Sequence, residues 1–294
     1  MTLPNFIIIG VQKAATTSIY NYLKQHPQIY MSPAKETSFL EKNWDAEAIA
    51  PEMKYNKVLS LESFEDQFRD VTTETAIGTT SPNCHFLYET AADRILEYTP
   101  NAKLILILRN PIDRAYSDHL MHIRDAIDDK TLDDRLNSPS SFIIRKGFYA
   151  EQLQHYRDRF PFKQIKVFLH DDLRKNTIEF MQEMYHFLEV DPNFIPDTTK
   201  KAQVSQVPKS KKLNRVLRNS EKIAAPILPI LKRLFPFKVR EGLRSLKSKL
   251  LALNTENKKP QLSEEHRRRL RDIYREDILK LQTLIERDLS HWLS

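Results

Sequence analysis

Short apolar runs recur along the chain at 5–9, 76–78, 103–108 and 164–169. They are too short for buried helices and show little alternation, so they predict strands covered on both faces, as in a parallel sheet. Helical spacing of apolar positions fills the gaps, over 17–24, 89–98, 112–124, 149–160 and 173–188. In the fourth of these, Tyr149, Leu153, Tyr156 and Phe160 recur at i, i+4, i+7 and i+11, one face of a helix. Strands alternating with helices imply right-handed crossovers and an open α/β sheet. Ligands of such sheets lie beyond the carboxyl ends of the strands. The loops at 10–17, 78–83 and 109–111 therefore point toward one crevice.

The pattern changes after residue 209. Pro226, Pro229 and Pro236 interrupt scattered Leu and Ile up to residue 254, which predicts short helices broken by prolines and laid on the main body. A last helix is predicted after Pro260 with Ser263 as its cap. Leu270, Ile273, Tyr274, Ile278, Leu281 and Leu284 or Ile285 give it an apolar stripe of the kind that packs into a core. The expected organisation is one domain over 1–294, with a core at 1–200. The basic segment 209–259 and the final helix 263–290 pack on that core.

Charge sharpens this division. The chain carries a net +7, yet residues 200–259 hold 17 Lys or Arg against 3 Asp or Glu, a balance of +14 that leaves −7 for the rest. A solvated helical face, an anionic cofactor, an acidic acceptor and a membrane surface all fit that excess. Nucleic acid fits poorly, because the basic stretch offers only Phe235 and Phe237 for base stacking. Cys84 is the sole cysteine, which excludes an intrachain disulfide and suits a reducing compartment. With no signal-like leader and no apolar run long enough to span a bilayer, a cytoplasmic protein is expected.

Two runs carry candidate chemistry. The first strand leads into Gly10-Val-Gln-Lys-Ala-Ala-Thr-Thr-Ser18, a loop that would present free amides of a helix N-terminus to an anion. A Walker loop reads G-x-x-x-x-G-K-[ST]. Here Ala15 and Thr16 stand where its second Gly and Lys would be, and the lysine, Lys13, lies in mid-loop. The second run is a strand ending in Arg109, then Asn-Pro-Ile-Asp-Arg-Ala-Tyr-Ser117. A guanidinium and a hydroxyl meeting across a strand end and a helix make an anion clamp. The alternative is a structural ion pair for Arg109 and a surface position for Ser117. Two anion sites on one crevice predict a ligand with two separated phosphates. Asp118, His119 and His122 lack further ligands at metal-binding spacing and read as helix surface, so no metal is expected.

Gly10–Ser18, Lys35-Glu-Thr-Ser-Phe39, Arg109–Ser117 and Gly147-Phe-Tyr-Ala-Glu-Gln-Leu153 together resemble the sulfotransferase family, in its heparan sulfate branch with soluble bacterial members. The likeness covers 6–188 and resumes in the final helix. It implies a P-loop-like three-layer fold. It also implies transfer of a sulfuryl group from 3′-phosphoadenosine 5′-phosphosulfate (PAPS) to a hydroxyl or amine of a carbohydrate or small metabolite, with PAP as product and no metal.

The family's 5′-phosphosulfate loop maps onto Lys13, Ala14, Ala15, Thr16, Thr17 and Ser18, with Lys13 facing the leaving phosphate. Its 3′-phosphate site maps onto Arg109 and Ser117, and its closing loop onto Lys209 and Ser210. Its catalytic glutamate maps onto Glu36. Three departures stand out. Ser38 replaces a common histidine, Thr79-Thr80 replace a Glu-Lys pair, and Ala15 replaces a glycine, which predicts ordinary backbone angles there. His85 is a second candidate base. A small-molecule kinase on the same fold, or a non-catalytic anion- or membrane-binding module, are the competing readings. The kinase would need a lysine beside the last loop threonine and an acidic Mg²⁺ ligand on a strand, and the sequence has neither.

Overall fold

A computed structural model describes residues 2–41, 58, 60–199, 207–224, 237–256 and 260–294. Five parallel strands, β1 (Phe6–Gly10), β2 (Ile29–Glu36), β3 (Ala76–Thr80), β4 (Lys103–Leu108) and β5 (Ile165–Leu169), form a sheet in the order β2-β3-β1-β4-β5. The central strand β1 is buried along its whole length, which is why it reads as a bare apolar run. It pairs Phe6 with both Gly78 and Lys103. The Phe6 ring fills the space beside Gly78, where an added Cβ would meet it at 2.0 Å.

Four strands lie where the apolar runs place them, and β2 is additional. It carries Pro33 and polar Ser32 and Lys35, and it stands at the sheet edge, where a proline costs no ladder hydrogen bond. The Ala34 amide is satisfied instead by Gln67 Oε1 at 3.0 Å.

Helices α1 (Thr16–Leu23), α2 (Leu61–Glu65), α3 (Tyr88–Tyr98), α4 (Pro111–Asp125), α5 (Leu132–Leu136), α6 (Phe142–Arg145) and α7 (Tyr149–Arg157) belong to the crossovers and flanks of the sheet. The helix expected at 173–188 is two, α8 (His170–Lys175) and α9 (Thr177–Leu188). Asn176 separates them, its side chain accepting the Glu179 amide as a cap.

The basic segment carries a described helix on each side of its three prolines. It forms two sustained helices, α10 (Lys211–Ala224) and α11 (Phe237–Leu253), and Pro226 and Pro229 lie outside the described residues, as does Pro236 just before α11. A two-residue ladder, β6 (Val207–Pro208) against β7 (Thr255–Glu256), ties their outer ends together.

The last helix, α12 (Glu264–Ile285), starts where Ser263 caps it by accepting the His266 amide. Leu270, Tyr274, Ile278 and Leu281 of its stripe are buried. On the same face, Asp277 accepts the Tyr149 and Ala150 amides at 2.7 and 3.1 Å, holding the start of α7. Burial pushes the Asp277 carboxyl up to about 6 against the pull of those two amides.

Candidate active site

The crevice lies at the carboxyl ends of β1, β2, β3 and β4. At the end of β1, a Cβ on Gly10 would stand 2.7 Å from the Cβ of His85, so only glycine lets the chain leave the sheet there. The chain then turns through two left-handed residues, Lys13 (φ 73°) and Ala15 (φ 64°), before α1 begins. The Val11 amide is bound to Ile107 O and that of Ala14 to Val11 O. The amides of Lys13, Ala15, Thr16 and Thr17 have no partner among the described residues, which leaves them available to an anion at the helix N-terminus.

Ala15 thus departs from the ordinary backbone angles expected of it, because the turn into α1 demands a left-handed residue whatever its side chain. An L-residue there is strained by roughly 1–2 kcal/mol. Ala15→Gly is expected to raise stability by about 0.5–1 kcal/mol, after glycine's own entropic penalty. A urea midpoint that stays put or falls would show that the loop relaxes around alanine.

Lys13 is half-buried, and its Nζ has a single weak contact among the described residues, 3.5 Å from Met121 Sδ. Burial lowers its pKa, Arg124 and Arg109 act in the same sense, and Asp118 and Asp125 oppose them. Arg109 follows β4 and donates from Nη1 to the Lys13 carbonyl at 2.7 Å. One arm of the guanidinium therefore pins the loop. The Asn110 side chain caps α4 by accepting the Ile112 amide at 3.0 Å, and Pro111 opens the helix. Ser117 lies buried on α4, and its hydroxyl has no hydrogen-bond partner among the described residues.

Glu36 ends β2, in register with Thr80, and its carboxylate is ion-paired to Lys35. Its side chain is 41% exposed, so it stands at the mouth of the crevice. The strand end is fixed from below: Thr37 and Thr79 hydroxyls meet at 2.9 Å, and the Thr80 hydroxyl donates to the Lys35 carbonyl. The two threonines that replace a charged pair therefore serve as strand ties, while Ser38 is buried beside them.

His85 is fully buried and stacked on Tyr156, and burial pushes its imidazole down to about 3, with Gln152 opposing. The ring is packed under Gly10, where burial disfavours the protonated form that a base must take up. On α4, Asp118 is paired with buried Arg114 at 3.1 Å, His119 accepts from Arg135 Nε at 3.1 Å, and His122 meets Asp128 at 3.0 Å. These are packing contacts.

Segment 207–210 lies against α4, with Val207 packed on Tyr116 and Leu120. The Lys209 amide donates to Asn254 O at 2.7 Å, and its side chain is exposed. Ser210 is a cap: its amide donates to Asn254 Oδ1 and its hydroxyl accepts the Leu213 amide.

Four residues not among the candidate site residues, Gln12, Glu41, Asn83 and Lys146, form a connected group behind the loop at 10–18. Lys146 is 6% exposed and donates to Gln12 Oε1 of the phosphate loop at 2.8 Å. Gln12, Asn83 and Lys146 line one small cavity behind that loop. Asn83 in turn donates to Glu41 at 3.2 Å, and burial pushes the Glu41 carboxyl up to about 7. Lys146 directly precedes the Gly147-Phe-Tyr motif, but residues 134 positions apart in sequence give no local signal of contact.

Residues 4–194 match the sulfotransferase family, and the chain belongs to that family. It is 30% identical over 210 residues to bifunctional heparan sulfate N-deacetylase/N-sulfotransferase 1 of Caenorhabditis briggsae, covering 66% of this chain and 23% of that protein. Against human heparan sulfate glucosamine 3-O-sulfotransferase 3B1 it is 28% identical over 174 residues, 55% of this chain and 40% of the relative. The aligned region is thus a minor part of these larger proteins. A sulfotransferase from Alicyclobacillus acidocaldarius shares the fold over 100% of both chains, with a TM-score of 0.73 at 24% identity. The expected α/β fold and family are both borne out.

Proposed function

We propose that the chain transfers a sulfuryl group from PAPS to a hydroxyl or amine. The observation that carries this reading is the loop at 10–18: unpartnered amides and a mid-loop lysine, tied through its Lys13 carbonyl to Arg109 on the neighbouring strand. The residues fit the donor. Lys13 and the amides of Ala15, Thr16 and Thr17, with the Ala14 turn and the Thr17 and Ser18 hydroxyls, would hold the 5′-phosphosulfate. Arg109, Ser117 and the Lys209–Ser210 segment would hold the 3′-phosphate. β4 delivers arginine where a Mg-nucleotide enzyme of this fold would offer a carboxylate.

PAPS supplies an activated sulfuryl group on a phosphate leaving group. Glu36 takes the proton from the acceptor as its oxygen or nitrogen bonds to sulfur and the sulfur–oxygen bond to the phosphate breaks. Lys13 offsets the charge that builds on the departing phosphate oxygen, leaving PAP. The acceptor class follows the relatives, whose names specify N- and O-sulfation of heparan sulfate. A glycan or a smaller hydroxyl- or amine-bearing metabolite is proposed here. No helix among the described residues is long and apolar enough to cross a membrane.

Calorimetric titration tests the donor. PAP is expected to bind equally with and without Mg²⁺, and AMP about tenfold or more weaker for want of the 3′-phosphate contacts. Preference for Mg-ATP would favour the kinase reading and overturn this one.

A further inference from the structure

Exposed apolar side chains are concentrated on the two basic helices. Five of the eleven exposed large hydrophobic residues among the described ones lie on them: Leu213, Val216, Leu246, Leu250 and Leu253. Leu246, Leu250 and Leu253 follow i, i+4 and i+7 on α11, and Leu213 and Val216 follow i, i+3 on α10, so each helix carries an apolar stripe on its outer side. On α10, the side chains that meet α4 and the loop after it are polar. Asn214 donates to the Ile123 and Arg124 carbonyls, Arg218 pairs with Asp125 at 3.4 Å, and Arg215 pairs with Asp129. This is the reverse of a helix packed on a core, where the apolar stripe would face inward.

Charge says what kind of surface the stripes meet. The two helices hold ten Lys or Arg against two Glu in their sequences. Lys211, Lys212 and Lys249 are exposed with no carboxylate partner among the described residues. A second copy meeting the arm face to face would bring like charge against like charge. Nucleic acid would find lysines but aliphatic side chains where bases need aromatic ones. Leucine beside lysine on a helix of low overall hydrophobicity is the composition of a helix lying in a lipid interface. We propose that α10 and α11 form a peripheral docking arm for an anionic lipid bilayer. The arm rests on α4, the helix that carries Ser117, so a docked protein would hold its crevice in a fixed orientation to the bilayer. The proposal is independent of the sulfuryl-transfer reading.

Co-sedimentation of the full chain with phosphatidylcholine vesicles containing about 30% phosphatidylglycerol tests it. Pelleting with these vesicles, and not with pure phosphatidylcholine, is expected, with release as salt rises. Lys211→Glu/Lys212→Glu/Lys249→Glu should weaken binding about tenfold or more. Leu246→Ser/Leu250→Ser/Leu253→Ser should weaken it as well, and because those side chains are solvent-exposed, thermal melting and PAP titration should be unchanged. No pelleting of the wild type, equal pelleting with neutral vesicles, or full binding by both variants would overturn the proposal. So would a preference for single-stranded DNA, or self-association that the leucine variant abolishes.

Discussion

Glu36→Gln is expected to lower turnover by about 100- to 10,000-fold while leaving PAP affinity within a few-fold of wild type. Glutamine keeps the size of the side chain and an oxygen for Lys35, so the strand end and its threonine ties should be undisturbed. What is lost is the oxygen that, on the proposed mechanism, takes the acceptor's proton. The split between turnover and product binding is the diagnostic part, since a merely structural role would move both. Measuring kcat beside calorimetric PAP affinity decides it. Turnover near the wild-type value would remove Glu36 from the reaction and turn attention to Glu41, whose carboxyl is raised to about 7 by burial.

Lys13→Ala should act at both stages. Removing a cation aimed at a developing oxyanion commonly lowers kcat by about 100- to 1,000-fold, and on the proposed assignment the same ammonium also holds the donor. Its pKa is lowered by burial, so the free protein loses this charge at a lower pH than an ordinary lysine would. An incoming dianion opposes that shift. Donor affinity in the wild type should therefore fall across the alkaline range with uptake of a proton on binding, and the alanine variant should lack that slope. A pH series of PAP titrations on both proteins checks the sign. An unchanged slope in the variant would assign the titration to another group.

Most of this site was legible from the chain because its parts are local. A strand, a turn and a helix start are consecutive residues, so Lys13 and Arg109 follow directly from apolar runs that end in polar loops. β2 escaped because an edge strand needs no continuous apolar run and can carry a proline such as Pro33. The prolines of the basic stretch fall in sequence between the two described helices, of 14 and 17 residues, as residues that cannot continue a helix should. Ala15 was misjudged because the turn, and not its side chain, sets the backbone there. Asn83 lay in a loop expected at the crevice, but its link to Glu41, like that of Lys146 to Gln12, is made only across the fold and leaves no local signal.

The bond from Arg109 to the Lys13 carbonyl makes the two ends of the crevice thermodynamically inseparable. Whatever claims the guanidinium at one end also loosens or tightens the turn that cradles the other. On the proposed assignment, the adenosine 3′-end and the phosphosulfate end are read cooperatively. A double-mutant cycle on Lys13 and Arg109 would then return a coupling energy instead of a simple sum.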